Sequence, residues 1–151
     1  MPHSGKILSG GVPAVAIFSA SEGYVSPSWY PAKAEHGRVV PTWNYIVVHA
    51  HGGLRAIDDA GWLREQVGAL TRAHEGPRSA PWEVGDAPDD YVAAELKGIV
   101  GLELAIARLE GKWKLSQNRA LADRMGVAEG LEAEPGPAAS ELAREVRERL
   151  K

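Results

Sequence analysis

The feature that most limits the possible folds is a period-two stretch at residues 39–50, VVPTWNYIVVHA. Alternation puts Trp43, Tyr45, Val47 and His49 on one face of a strand, and Thr42, Asn44, Ile46 and Val48 on the other. Gly52-Gly53 follows and predicts a sharp bend before a further strand, Leu54–Ile57. A second apolar run, AVAIFSA (14–20), predicts a buried strand, and GYVSPSWY (23–30) alternates as an edge strand, because Pro27 cannot donate to a ladder. Residues 31–38 then form a loop, and 99–109 alternate again, extending toward Lys114.

Between these strands the period changes. Asp58-Asp59 offers an N-cap, and Leu63, Val67 and Leu70 stand at helical spacing, predicting a helix over 59–74 ended by Gly76-Pro77. Pro88 opens a second helix to about Lys97. Ser116 caps a short helix, 117–125, ended by Gly126. Leu142, Val146 and Leu150 stripe a last helical stretch, 138–150. The pattern is mainly β with peripheral helices, as in a small barrel. It divides into a body at 1–131 and a helical tail at 132–151.

At 151 residues the chain makes one domain. It has no cysteine, which excludes disulfides, thiolate metal sites and cysteine nucleophiles. The net charge of -3 argues against a general nucleic-acid binder. Residues 57–110 carry eleven acidic against five basic groups, whereas 111–128 carry four basic and one acidic. No apolar run approaches the roughly 20 residues that cross a bilayer, and the start, MPHSGKILSGG, lacks a signal peptide's apolar stretch, so a cytoplasmic protein is expected. A helix-turn-helix over 59–97 is disfavoured, since its second helix begins DAPDDY, which phosphates repel.

Three segments mix aromatic with hydroxyl, amide or cationic groups: SPSWYPAK (26–33), VPTWNYIVVHAHG (40–52) and KWKLSQNR (112–119). Such a mixture suits an aromatic, phosphorylated ligand, with flat faces for stacking and directed hydrogen bonds. Lys33, His49 and Arg119 can neutralise a phosphate. Ser26 and Ser28 reach the same side as His49 if their strands pair. The tryptophans equally suit a core. His49 and His51 form His-x-His on a strand, a pair that can bind zinc, copper or iron given a third ligand from His74, His36 or Glu35. No nucleophile elbow, Walker loop or HExxH is present.

The collinear series SPSWYPAKAEHGRVVPTWNYIVVHAHG, IDDAGWL, APW, DAPDDY, IVGLEL and LEGKWKLSQNR resembles the PaiB-type FMN-binding negative transcriptional regulators, from about residue 14 to 131. The resemblance implies an FMN-binding split β-barrel of the pyridoxamine-phosphate-oxidase type, a homodimer with FMN at the subunit interface, and negative regulation of protease production and sporulation. DNA binding is implied by the family label alone. By motif, Thr42, Trp43 and Asn44 lie along the flavin or its ribityl chain, and His49 holds the phosphate. Ser26, Ser28 and Lys33 add phosphate contacts, and Trp29 and Tyr30 pack the ring. Gln117, Asn118 and Arg119 hydrogen-bond from a helix start. Residues 1–13 do not resemble the family's first strands, so the barrel is expected to be incomplete at its N-terminus. The resemblance implies a regulatory role rather than turnover, and with no general acid or base beyond His49 any chemistry would fall to the flavin itself. The alternatives are a flavin-dependent oxidoreductase on the same fold, a haem- or metal-binding short form, and a cofactor-free module.

Overall fold

A computed structural model describes residues 11–150. The expectation that residues 1–13 stand in place of the first barrel strands falls mostly on 1–10, outside the described residues, while Val12 and Pro13 open β1. Three long strands, β1 (Val12–Val25), β2 (Thr42–Ile57) and β3 (Gly101–Lys114), form one antiparallel sheet in the order β1-β2-β3. Five α-helices accompany it: α1 (Ala32–His36), α2 (Ala60–Glu75), α3 (Asp89–Leu96), α4 (Leu121–Ala133) and α5 (Pro137–Glu148). Helical residues outnumber strand residues, so the class is mixed α/β rather than mainly β, and the sheet is not closed among the described residues. No helix among them is long and apolar enough to cross a membrane.

Several element boundaries depart from the sequence expectation, each for a local reason. Residues 27–29 make a 3-10 turn instead of continuing an edge strand. Ser26 caps that turn by accepting the Ser28 amide at 3.2 Å, and Pro27 supplies a φ suited to a first helical position. Ser26 and Ser28 therefore do not pair alongside His49. Gly52 and Gly53 lie within β2, which continues through them to Ile57. A Cβ at Gly52 would overlap the Ala105 carbonyl on β3, so the glycine serves the close approach of two strands. The short helix expected at 117–125 is displaced to α4, which runs through Gly126 without stopping. Ser116 is no cap. It adopts a left-handed φ of 62° in the turn leaving β3.

The chain forms two compact units, and all three strands contribute to both. One comprises β1 through Ala14 and Gly52–Ala107. Its core is Leu63, Val92 and Leu96, with Trp62, Val67, Val84 and Ala87 packed around them. Asp59 caps α2 as its position suggests, accepting the Trp62 amide at 2.7 Å. Arg55 on β2 grips Glu103 on β3 with two hydrogen bonds, 2.8 and 3.0 Å. That bond from Arg55 holds the Glu103 carboxyl below its ordinary range.

The other unit comprises Val15–His51 and the chain from Arg108 onward. Its core gathers Val25, Ile46 and Leu115 with Val127, Ala128 and Leu131 of α4 and Leu142, Ala143 and Val146 of α5. Leu115, Leu131 and Leu142 are essentially water-free, and burial of one leucine contributes about 1.5–3 kcal/mol. Trp29 lies against α4 at Gly130, where a Cβ would overlap the indole. At Gly126 a Cβ would overlap the Trp29 carbonyl. These two glycines are helix-interior seats for the SPSWYP turn, and this is why α4 contains them. Asp123, buried in α4, accepts the Ala32 amide at 3.1 Å and ties the start of α1 to the same helix.

Candidate functional site

Most of the residues singled out from sequence fall into three neighbourhoods within the second unit, whereas His74 belongs to the first. The most constrained is a cavity of about 120 Å³ where the start of β2 meets the turn after β3. Alternation along β2 turns Asn44 inward, fully buried. Its Oδ1 accepts from the Ser116 hydroxyl at 3.2 Å, while its Nδ2 has no partner among the described residues. The Tyr30 hydroxyl, also on this cavity, is buried without a partner. Buried donors of this kind cost about 1–3 kcal/mol each when left unpaired.

Two cations flank these donors. Lys114 Nζ donates to Thr42 Oγ1 at 2.6 Å and to the Trp43 carbonyl at 2.5 Å, and lies 5.7 Å from the centre of the Tyr45 ring. The Arg119 guanidinium stands 4.8 Å over the Tyr30 ring, which steadies it by a cation–π contact. The KLSQNR turn is fastened by Gln117, which folds back on its own backbone. Its Oε1 accepts the Leu115 amide at 2.7 Å and its Nε2 donates to the Trp113 carbonyl at 2.6 Å. Gln117 thus spends its amide on holding the turn, and Asn118 and Arg119 are what the turn presents to the cavity. The cavity therefore offers unpaired N–H and O–H groups and positive charge, a surface for an anion of about phosphate size.

A second, wider cavity of about 530 Å³ holds Ser28, Trp29 and Lys33, with Met125 and Glu129 of α4 on its wall. Here Lys33 Nζ donates to Ser28 Oγ at 3.1 Å, so these two polar groups of SPSWYPAK are already paired with each other. Tyr30 borders both cavities.

The third neighbourhood is the other face of β2. Trp43 is exposed and meets Tyr24 of β1 edge to face, centroids 6.3 Å apart. Farther along the same face stand His49 and His51, with Glu110 opposite on β3. Glu110 accepts from both His51 and Arg108. The hydrogen bond to His51, with Arg108 adding to it, holds its carboxyl below the ordinary range. Five residues of strand separate His49 from Asn44, roughly 17 Å at strand rise, so one phosphate cannot touch both. His36, His74 and Glu35 take no part in the His49–His51 cluster.

Two cavity residues, Lys114 and Ser116, escaped the sequence reading, although both lie inside the segment KWKLSQNR. Their signal was position: a cation ending a strand, and a serine opening a turn. Glu110 was missed because nothing local marks a carboxylate on one strand as the neighbour of a histidine pair on another.

Comparison with known proteins now bears on this arrangement. Residues 2–108 match a family model described as "Putative FMN-binding domain". A protein of Bacillus subtilis named protease synthase and sporulation protein PAI 2 is 32% identical over 137 residues, 91% of this chain and 63% of that protein.

The chain belongs to the PaiB-type FMN-binding family.

Uncharacterized proteins of Aspergillus fumigatus and Emericella nidulans are also similar, 39% and 40% identical, each over 83% of this chain. The chain spans about half the length of these two curated relatives, 54% in each. Within the PaiB-type match, PTWNY and the wider SPSWYP segment lie inside the matched residues. KLSQNR lies beyond residue 108, so its place in the cavity rests on the position of Ser116, Asn118 and Arg119 in the cavity wall.

Proposed function

We propose that this chain binds FMN and that the phosphate end of the cofactor enters the cavity between β2 and the KLSQNR turn. The carrying observation is the pair of orphaned donors, Asn44 Nδ2 and Tyr30 Oη, flanked by Lys114 and Arg119. A dianionic phosphate would satisfy both donors and both cations at once. The cavity is far too small for the flavin ring, which would have to lie outside it. When bound, FMN supplies a redox-active ring, and the residues of this chain bind and orient it.

The family match supports the wider reading of an FMN-binding split barrel. The open sheet and the exposed Phe18, Tyr24 and Trp43 are consistent with a homodimer that covers this surface. A regulatory role follows the name of the Bacillus subtilis relative. The net acidity of the chain favours regulation through the flavin over direct DNA contact.

The test is a titration of the purified chain with FMN, followed by quenching of flavin fluorescence, with riboflavin in parallel. FMN should bind at least about tenfold more tightly than riboflavin, which lacks the phosphate. Arg119→Ala should erase most of that difference. Absence of quenching overturns cofactor binding, and equal affinity for the two flavins overturns the phosphate site.

A further inference from the structure

The face of β2 remote from the anion cavity carries a second constellation that the flavin reading leaves unused. His49 and His51 lie two residues apart on one strand, so both rings leave the same side of the sheet. Their centroids are 6.1 Å apart with ring planes at 64°. Glu110 on β3 brings Oε2 to 2.8 Å from His51 Nε2. One ligand atom from each of the three residues lies within 4.8 Å of the others. Arg108 donates to the other oxygen, Oε1, which leaves Oε2 turned to the histidines. A cavity of about 510 Å³, bordered by Tyr45, Val47 and Lys112, opens beside His49 and Glu110.

We infer that His49, His51 and Glu110 form a three-ligand site for a divalent cation of the zinc class, with a further coordination position open to this cavity. Two imidazoles and a carboxylate are the donor set such a cation takes, at bond lengths of about 2.0–2.2 Å. The three donors need only side-chain rotation to close on one ion, because their strands are already neighbours. The ion would replace the hydrogen bond that now joins His51 to Glu110. Arg108, held on Oε1, acts as a positioning residue for the carboxylate. Lys112 lines the same cavity and opposes positive charge there. Magnesium, which prefers an all-oxygen shell, should not compete.

The experiment is calorimetric titration of the full chain with zinc chloride in phosphate-free buffer, and with magnesium chloride as control. One equivalent of zinc should bind, and magnesium should not. His51→Ala and Glu110→Gln should each weaken zinc binding about tenfold or more, Lys112→Gln should strengthen it, and His74→Ala should leave it unchanged. Cobalt(II) in place of zinc should give visible d–d absorption that the first two variants lose. In the wild-type chain, the ring nitrogens of His49 and His51 should shift in NMR spectra on adding zinc while those of His36 and His74 stay, an arm that needs no variant to fold. Lack of zinc binding overturns the site, as does binding that leaves the His49 and His51 signals in place.

Discussion

Asn44→Asp tests the anion cavity most directly, because it changes charge and hydrogen-bond polarity while keeping shape. Asn44 is completely buried, and its Oδ1 already accepts from Ser116. Aspartate preserves that acceptor and replaces the unpartnered Nδ2 donor with a second carboxylate oxygen. In the unliganded protein the substitution removes an orphan donor that costs about 1–3 kcal/mol. It also places a negative charge in a cavity lined by Lys114 and Arg119. The fold should therefore survive, with a melting temperature equal to or above that of the wild type.

Binding should respond in the opposite direction. One hydrogen bond to a charged phosphate is lost, about 1.5–3 kcal/mol, and repulsion between carboxylate and phosphate adds to it. At 1.4 kcal/mol per factor of ten, the lost bond alone raises the Kd for FMN about ten- to hundredfold. The assay is fluorescence quenching at fixed ionic strength, with circular dichroism to verify the fold. Riboflavin affinity should stay within about twofold, since its binding does not use the cavity. If FMN affinity is unchanged in a folded Asn44→Asp protein, the phosphate does not enter between β2 and the KLSQNR turn. If FMN and riboflavin weaken equally, the residue acts on the flavin ring, and the assignment is equally refuted.

Three further substitutions probe the frame around this site. Gly130→Ala gains about 1 kcal/mol of helix propensity but drives a Cβ into the Trp29 indole, an overpacking that costs about 1–3 kcal/mol. Urea unfolding should show a net loss and a change in tryptophan fluorescence, and a stabilised variant would show that Trp29 is not seated on α4. Leu142→Ala empties a fully buried position between α4 and α5 and should cost about 2–5 kcal/mol in the same assay. Glu132 pairs with Arg147 across those helices, and that hydrogen bond lowers its carboxyl from the ordinary 4.5. A lowered folded-state value means the pair stabilises above about pH 4.5 and that the contribution fades as pH falls below it. Glu132→Gln should therefore flatten part of the acid limb of the melting profile, with a small effect that high salt reduces further, because both groups are exposed.

The period-two alternation of VVPTWNYIVVHA correctly assigned the faces of β2, with Asn44 and Ile46 inside and Trp43 outside. Asp59 marked the start of α2 because a side-chain cap is a local interaction, complete within three residues. What failed was the reading of Gly52 and Gly126 as punctuation, although Gly76 does end α2. Gly52, Gly126 and Gly130 sit inside elements, each where a backbone or an indole presses too close for a Cβ. A glycine that ends an element and one that admits a neighbour look alike in sequence, and only the neighbour distinguishes them. Here those neighbours, Ala105 and Trp29, lie far along the chain.

The site shows the same division between local and distant information. SPSWYP, PTWNY and KLSQNR were recognisable as aromatic-polar segments, but sequence could not divide them among separate surfaces. Gln117 spends both ends of its amide on its own turn, while Lys33 donates to Ser28 and Lys114 to Thr42 and the Trp43 carbonyl, so these groups already hold partners. Asn44 and Tyr30 are the reverse case, buried donors that nothing among the described residues satisfies. Burial without a partner is costly, and a chain that maintains it at two adjacent groups beside two cations has an energetic deficit that an anion can relieve. That deficit, rather than the number of polar residues in a motif, separates binding residues from those that only hold the turn. On the proposed reading it favours Tyr30 and Asn44, with Lys114 and Arg119 as the neighbouring charge, over Ser26, Ser28, Lys33 and His49, which the motifs alone rank as highly.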